Sequence, residues 1–283
     1  TDMGITSKDE FNLSAAAKTN VSIAADTSDG PVYDDYIAVR GCTSDTPYFV
    51  YIMDNASGEV RALTQKTKAS GSRVQETGII TGYADDEYPD GYPIEYTISF
   101  PAAYNTSSST LWPLLIAFKG GGTSDPNFPC IILSTDTRNT GVFEQVVYDI
   151  DRVRDKIKDI IENSSFRIDR SRVYACGFSL GGCAVLRIAN NDSSTLFNVA
   201  AIVANGASYW LPDVEGWVEN LGNANYWICG GENDSYRPED CYSGMPKNSG
   251  DHYLTLYPGI AHTSSPTWDS PYTYIWLLSK QVY

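Results

Sequence analysis

The chain has 283 residues, of which 42% are hydrophobic and 19% are charged. This length and composition predict a folded protein with a sizeable core, and they exclude a disordered tail or a coiled coil. The formal net charge of −15 disfavours nucleic acid and anionic membrane surfaces as partners, because both are bound through Lys and Arg. No apolar run approaches the roughly 18 residues that span a bilayer.

The first 75 residues have the pattern of strands rather than helices. Residues 36–40 and 48–53 are apolar segments that lie between turns rich in Asp, Ser and Gly. We predict a small β-rich N-terminal region over residues 1–75, which forms either an accessory module or extra strands on the main sheet. A linker is predicted at residues 69–72, and the main domain is predicted over residues 76–283.

From about residue 92 onward, short apolar runs alternate with longer helical patterns. Val and Ile recur every three or four residues over 142–163, which predicts a helix, and further helices are predicted after Gly181 and over residues 272–280. This alternation predicts an α/β fold with a mainly parallel central sheet that is flanked by helices. The predicted strands are residues 94–100, 114–118, 130–133, 173–176, 200–204, 226–230 and 253–257.

The six cysteines and two histidines do not have the spacing of a metal site. There is no Cys-x-x-Cys pair and neither histidine lies near a group of cysteines, so we predict no metal ion. Cys176, Cys183 and Cys229 fall in apolar segments and are predicted to be buried. The abundance of Tyr, Ser, Thr and Asn, with few Lys, favours a secreted or extracellular protein.

The most specific motif is the run Gly-Phe-Ser-Leu-Gly at residues 177–181. It follows a predicted strand and precedes a predicted helix, and in that setting a sharp turn lifts the serine hydroxyl clear of the sheet. Glycine is expected at both ends of so tight a turn because side chains there would collide. Ser179 is therefore the candidate nucleophile, and a serine in an ordinary surface loop is the alternative.

A serine is a poor nucleophile until a base takes its proton, and the chain offers only His252 and His262. His262 follows the last predicted strand, at the sheet edge where the carboxyl ends of parallel strands collect active groups. His252 precedes the same strand and is expected at the opposite edge. We therefore predict that His262 is the base and that His252 is a surface histidine.

The base needs a carboxylate that holds its imidazole in the reactive tautomer. Asp234 lies in the loop after the predicted strand at 226–230 and is our choice for this role. Glu232 in the same loop is the near alternative, and Asp213 is a more distant one. The order Ser, Asp, His along the chain differs from the orders found in chymotrypsin-like and subtilisin-like enzymes.

The oxyanion of an acyl-transfer intermediate needs preset hydrogen-bond donors. The backbone N–H of Leu180, directly after the candidate nucleophile, is the first predicted donor. Residues 119–122 are Lys-Gly-Gly-Gly and follow a predicted strand, and glycine lets the backbone there approach a substrate carbonyl. We predict the N–H of Gly121 as the second donor, and a plain strand-ending turn is the alternative.

Together these stretches resemble the α/β-hydrolase superfamily, and within it the group of feruloyl esterases, acetyl xylan esterases and polyhydroxybutyrate depolymerases. The resemblance covers roughly residues 92–283. It implies a secreted, cofactor-free serine esterase with the α/β-hydrolase fold, in which Ser179, Asp234 and His262 are nucleophile, acid and base. The stretches that carry the resemblance are residues 112–118, 166–174, 177–181, 230–234 and the loop of His262.

Two features depart from the pattern of that group. Lys119 stands where the group usually has a histidine before the oxyanion glycines. Only residues 122–128 separate that loop from the next predicted strand, and little sequence is left for a cap between residues 204 and 226. We therefore expect an open, shallow site, which suits a bulky or polymeric ester.

Aromatic residues in the loops near this site are candidate substrate contacts, because an aromatic face can stack on a sugar ring or a ferulate ring. Ordinary loop packing explains these residues equally well. The candidates are Tyr209, Trp210, Tyr236 and Trp268, with Trp217 and Tyr272 in the same set of loops.

The leading hypothesis is the hydrolysis of acetyl or feruloyl esters on a polysaccharide, with a polyester depolymerase as the alternative ester hydrolase. A serine peptidase of the same superfamily uses the same three residues, but the 75 N-terminal residues are too few for the propeller that such enzymes usually carry. A non-catalytic carbohydrate-binding protein on a hydrolase scaffold is the hypothesis from another class. The acidic, aromatic-rich composition favours it, and the intact triad candidates oppose it.

Overall fold

The fold is described from a computed structural model of the chain. The chain divides into two compact units, residues 1–25 with 34–72 and residues 26–33 with 73–283. The structure describes residues 47–53, 60–66, 73–81, 89–91, 93–102, 104, 109–118, 121–123, 128–135, 150–189, 198–207, 221, 224–246 and 250–282.

The described part of the first unit is an antiparallel pair of strands. Strand β1 is Pro47–Met53 and strand β2 is Val60–Lys66, with residue 47 opposite residue 66 and residue 53 opposite residue 60. β1 matches the predicted strand at 48–53, whereas β2 is a strand that the sequence pattern did not predict. The predicted strand at 36–40 and the predicted linker at 69–72 lie outside the described residues.

The second unit contains an eight-stranded sheet in which six neighbouring strands are parallel. Its strands are β3 (Val74–Thr81), β4 (Pro93–Phe100), β5 (Trp112–Ala117), β6 (Ile131–Thr135), β7 (Ile168–Phe178), β8 (Ala201–Asn205), β9 (Asn225–Gly231) and β10 (His252–Tyr257). They are arranged in the order β10-β9-β8-β7-β5-β6-β4-β3. β4 runs antiparallel to both β6 and β3, and every other neighbouring pair is parallel.

Helices cover both faces of this sheet because its central strands are apolar on both sides. In β5, Leu114 and Ile116 point into one hydrophobic cluster, while Leu115 and Ala117 point into a second cluster. The described helices are α1 (Ile150–Asn163), α2 (Leu180–Ala189), α3 (Pro238–Gly244), α4 (Ser265–Trp268) and α5 (Pro271–Leu278). Helices α1, α2 and α3 pack on the first cluster, and α5 packs on the second.

The predicted fold class is confirmed by this arrangement. Each of the seven strands predicted for the main domain overlaps a strand of the sheet, and the helices predicted after Gly181 and over 272–280 correspond to α2 and α5. Helix α1 covers the second half of the helix predicted over 142–163, and residues 142–149 lie outside the described residues. The predicted domain boundary after residue 75 stays a prediction, and β3, which begins at Val74, pairs with β4 of the main sheet.

The predicted burial of Cys176, Cys183 and Cys229 is confirmed. Burial raises the pKa of the Cys229 thiol to about 12, so this group stays protonated at neutral pH. Among the described residues, no group of three or more His, Cys, Asp and Glu is placed to hold a metal ion. No described helix has the length and apolar character that crossing a membrane requires.

Candidate active site

Three loops at one edge of the sheet bring the candidate triad together. Ser179 directly follows β7, Asp234 lies three residues after β9, and His262 lies five residues after β10. All three strands are parallel, so their carboxyl ends meet at the same edge. The topology therefore brings His262 next to Ser179, which is 83 positions away in sequence, and next to Asp234, which is 28 positions away.

The three side chains form one chain of hydrogen bonds. His262 Nε2 lies 2.9 Å from Ser179 Oγ, and His262 Nδ1 lies 2.8 Å from Asp234 Oδ2. Both distances fall in the ordinary hydrogen-bond range. If Nδ1 carries the imidazole proton, it donates to the carboxylate and leaves Nε2 as an acceptor for the serine proton.

The turn that carries Ser179 has the geometry of a strained elbow. Ser179 has a φ of 59°, which lies in the left-handed region that residues other than glycine rarely adopt. A Cβ added to Gly177 would lie 2.3 Å from the carbonyl oxygen of Gly181, so the turn closes only with glycine at this position. The Ser179 N–H donates to the carbonyl of Asn205 at 2.8 Å, which anchors the elbow to the end of β8.

The carboxylate of Asp234 is held by both of its oxygens. Oδ2 lies against His262, and Oδ1 accepts the backbone N–H of Tyr236 at 2.9 Å. The Asp234 side chain is only 1% exposed, whereas the His262 side chain is 27% exposed. A buried carboxylate with both oxygens occupied holds the imidazole in one orientation while leaving one side of it open to a substrate.

Glu232, the near alternative to Asp234, has a different contact. Its Oε2 accepts the backbone N–H of Gly259 at 3.1 Å, in the loop that leads to His262. The N–H of Asn233 donates to the carbonyl of Ile260 at 2.8 Å, so the two loops are joined at two points. Glu232 therefore ties the loops together, and Asp234 is the carboxylate that contacts the imidazole. The other alternative, Asp213, lies outside the described residues.

His252, the other candidate base, lies at the opposite edge of the sheet, as predicted. It is the first residue of β10, and its ring stacks on that of Tyr226 with centroids 4.2 Å apart.

The comparisons with known proteins concern the fold. No protein-family model matches the chain, and no curated protein sequence matches it. Among solved structures, a thermostable esterase superposes with a TM-score of 0.54 and 17% identity, over 82% of this chain and 70% of that one. An S-formylglutathione hydrolase from Agrobacterium tumefaciens superposes with a TM-score of 0.50 and 13% identity, over 74% of this chain and 94% of that one. The chain has the α/β-hydrolase fold.

A third solved structure shows why this fold does not by itself define the bond that is cleaved. A putative dipeptidyl aminopeptidase IV from Bacteroides ovatus superposes with a TM-score of 0.51 and 14% identity. The match covers 84% of this chain but only 40% of that much longer protein. The fold is thus shared by proteins that are named for different activities, and function has to be argued from the site.

The two predicted oxyanion donors differ in their backbone hydrogen bonds. Leu180 is the first residue of α2, where a backbone N–H has no acceptor within its own helix. The N–H of Gly121 instead donates to the carbonyl of Phe118 at 2.8 Å, so its assignment as the second donor is corrected. Gly121 is needed for another reason, because an added Cβ would lie 2.8 Å from Gly177 Cα.

The predicted aromatic contacts that the structure describes lie in two different environments. The Tyr236 ring centroid is 4.6 Å from that of His262, and Tyr236 is 44% exposed, so it borders the site. Trp268 packs on the second hydrophobic cluster, with its ring centroid 6.4 Å from that of Tyr274. Tyr209 and Trp210 lie outside the described residues. Phe178, which the sequence analysis did not single out, packs on His262 at 4.5 Å.

Gly206 is a second site residue that the sequence analysis missed. It follows β8, which ends between β7 and β9, so the same rule that located the triad residues could have located Gly206. Its φ is +54°, and an added Cβ would lie 3.0 Å from His262 Cε1 and 3.2 Å from Asp234 Oδ2. Glycine at 206 therefore leaves room for the imidazole and the carboxylate to meet.

A buried polar cluster begins at Asn205, the residue that precedes Gly206. The Asn205 side-chain amide donates to the hydroxyl of Thr267, and that hydroxyl donates in turn to the hydroxyl of Tyr257 at 3.1 Å. Asn205 and Thr267 are both fully buried. Since Asn205 also accepts the Ser179 N–H, this cluster connects the elbow to the helix that follows the His262 loop.

We expect Gly206→Ala to lower kcat by roughly tenfold to a hundredfold, because displacing catalytic groups by a fraction of an ångström has effects of this size. The measurement is the steady-state hydrolysis of a p-nitrophenyl ester. Gly259→Ala is the matched control, since Gly259 also has a positive φ of 68° but an added Cβ would meet nothing within 4 Å. An equal loss of kcat in the two variants would show that backbone strain, rather than contact with the imidazole, causes the loss.

Proposed function

We propose that the protein is a serine carboxylic ester hydrolase that works through an acyl-enzyme. The observation that carries this proposal is the hydrogen-bonded chain from Ser179 Oγ through His262 to Asp234. A hydroxyl, an imidazole and a buried carboxylate in this order form the arrangement that activates a serine for acyl transfer.

The first half of the reaction forms the acyl-enzyme. Ser179 Oγ attacks the ester carbonyl while His262 Nε2 takes the serine proton, and Asp234 stabilises the resulting imidazolium. The carbonyl oxygen becomes an oxyanion that accepts a hydrogen bond from the Leu180 N–H at the amino end of α2. The carbon–oxygen bond to the alcohol then breaks, and the departing alkoxide takes the proton from Nε2.

The second half of the reaction restores the serine. A water molecule gives one proton to His262 Nε2 and its oxygen attacks the acyl carbon. The bond between Ser179 Oγ and the acyl carbon breaks, Ser179 recovers a proton from the imidazolium, and the carboxylic acid is released. No step requires a metal ion or a redox cofactor.

For the substrate, we propose an acetyl or feruloyl ester on a polysaccharide. The exposed Tyr236 ring beside His262 supports this choice, since it offers an aromatic face to a sugar or a ferulate group next to the base. The net charge of −15 favours a neutral polymer over an anionic one. Because such polymers occur outside cells, the proposal includes secretion.

The test is a panel of substrates given to the wild type and to Ser179→Ala. The panel contains p-nitrophenyl acetate, methyl ferulate, acetylated xylan, poly(3-hydroxybutyrate) and a peptide library. The proposal expects release of acetate or ferulate by the wild type only. Cleavage of the polyester alone would identify a depolymerase, and cleavage of peptides alone would identify a peptidase. Equal hydrolysis by both proteins, or none by either, would refute ester hydrolysis at Ser179.

A further inference from the structure

An open cavity of about 360 Å³ lies at the sheet edge opposite the triad. Its walls include Glu76 of β3 and Phe100, the last residue of β4. Because β4 runs antiparallel to β6, Phe100 lies at the amino-terminal edge of the parallel strands. The remaining wall residues include Tyr104 and the segment Ser165, Phe166 and Arg167, which precedes β7.

The cavity is too far from Ser179 to belong to the ester site. The first residue of β7, Ile168, pairs with Trp112, and Cys176 pairs with Ala117 at the other end of β5. Ser179 lies three residues beyond Cys176. At about 3.3 Å per residue along a parallel strand, the cavity and Ser179 are separated by about 25 Å. A molecule bound in this cavity therefore makes no contact with the triad.

Three aromatic rings form one wall of the cavity. The Phe100 ring centroid is 4.7 Å from that of Tyr104 and 5.0 Å from that of Phe166. These rings support one another, so the wall keeps its shape without a ligand. A fixed aromatic wall in a cavity of this volume is typical of sites for small organic molecules, which range over roughly 300–1,000 Å³.

Charged groups of both signs face the same cavity. The Arg167 guanidinium lies 4.3 Å from the centre of the Tyr104 ring and donates to the Tyr104 carbonyl, which fixes its position. The Arg167 Nε is buried and has no hydrogen-bond acceptor among the described residues. Glu76 is exposed on β3, and its carboxylate makes no hydrogen bond or ion pair with the described part of the chain.

A smaller cavity of about 180 Å³ continues the first one and shares Glu76 and Phe166 with it. It adds Lys156 and Asp159, which form an ion pair at 3.0 Å, and the ring of Tyr96. The two cavities together carry two carboxylates and two cations, so their formal charge is zero in a chain whose net charge is −15. The attraction of a charged ligand to the groups of opposite sign is offset by its repulsion from the groups of like sign, so these charges favour a neutral ligand with many hydroxyls.

We propose that the two cavities form a binding site for a neutral oligosaccharide. Sugar hydroxyls donate to the Glu76 carboxylate and accept from the Arg167 guanidinium, and the apolar face of the sugar ring packs on the aromatic wall. This inference goes beyond the proposed ester hydrolysis and does not depend on it. If both hold, the site retains a polysaccharide while an ester group elsewhere on it, or on a neighbouring chain, reaches Ser179.

The test measures binding of xylohexaose to the full chain by titration calorimetry. We expect saturable binding, and we expect Glu76→Ala to weaken it by roughly tenfold to 150-fold, the effect of losing one hydrogen bond to a charged group. Glu95→Ala is the matched control, because Glu95 is exposed on the neighbouring strand β4 and lines neither cavity. Phe166→Leu keeps an apolar side chain but removes the aromatic face, and it is expected to weaken binding as well.

Further measurements separate this inference from the proposed function. Glu76→Ala should hydrolyse p-nitrophenyl acetate at the wild-type rate, and Ser179→Ala should bind xylohexaose with wild-type affinity. Absence of saturable binding at millimolar xylohexaose would overturn the inference, as would equal affinities in Glu76→Ala, Phe166→Leu and Glu95→Ala. Tighter binding of hexagalacturonate than of xylohexaose would also overturn it, because the site would then prefer an anion.

Discussion

Replacing Ser179 with alanine is expected to lower kcat for p-nitrophenyl acetate by roughly 10⁴-fold to 10⁶-fold. The substitution removes the oxygen that His262 Nε2 faces at 2.9 Å, so no acyl-enzyme can form. The fold should be unaffected, because the elbow is held by the backbone of Ser179 and not by its hydroxyl. The Ser179 N–H still donates to Asn205, and the Ser179 carbonyl still accepts the Cys183 N–H at 3.1 Å.

The matched control for this prediction is Ser264→Ala. Ser264 lies two residues from His262 and precedes α4, but its side chain makes no capping hydrogen bond. Ser264 is half-buried, and because no side-chain cap hydrogen bond is lost we expect the kcat of Ser264→Ala to stay within about twofold of the wild type. A fluorophosphonate probe followed by mass spectrometry gives an independent readout, since the adduct should map to Ser179. A Ser179→Ala protein that keeps wild-type turnover would disprove covalent catalysis at this serine.

Seven strands of the sheet and the meeting of the three candidate residues could be predicted from sequence because both follow from local patterns and one topological rule. Strands such as β5 and β8 are continuous apolar runs, and the structure buries nearly every residue of both. Once such strands are parallel, the loops after their carboxyl ends share one edge of the sheet. Ser179, Asp234 and His262 each lie in such a loop, so their meeting required no knowledge of side-chain packing.

Strand β3 shows where the sequence pattern fails. Seven of its eight residues are exposed or half-buried, and only Ile80 is buried. An edge strand of this kind shows neither a continuous apolar run nor a regular alternation, so its sequence lacks the hydrophobic pattern from which strands are predicted. The strand forms because its backbone pairs with β4 over its full length, from Val74 opposite Phe100 to Thr81 opposite Pro93.

The second oxyanion donor could not be predicted because it depends on a backbone hydrogen bond. The glycines at 120–122 predict a backbone that approaches a substrate carbonyl, whereas the structure places Gly121 against the backbone of Gly177. Sequence does not show that the Gly121 N–H is taken up by Phe118. The strand-end rule places Gly206 at the same edge, but sequence does not show that a Cβ at this position would lie 3.0 Å from the imidazole.

Replacing Asp234 with asparagine is expected to lower kcat/KM by roughly 10⁴-fold through the tautomer of His262. The carboxylate accepts hydrogen bonds at both oxygens, from His262 Nδ1 and from the Tyr236 N–H. An asparagine has one oxygen and one NH₂ group. If the NH₂ faces the imidazole, Nδ1 must become an acceptor, the proton moves to Nε2, and the base can no longer accept the serine proton. If the NH₂ faces Tyr236, it meets the backbone N–H of Tyr236, so two hydrogen-bond donors face each other without an acceptor.

Glu232→Gln is the matched control, because Glu232 is an acidic residue in the same loop whose carboxylate contacts Gly259 and not the imidazole. A glutamine oxygen can still accept the Gly259 N–H, so we expect kcat/KM within about threefold of the wild type. Both variants are compared over a range of pH, with folding checked by thermal unfolding. A large loss for Glu232→Gln together with a small loss for Asp234→Asn would reassign the acid to Glu232 and contradict the geometry of the His262 loop.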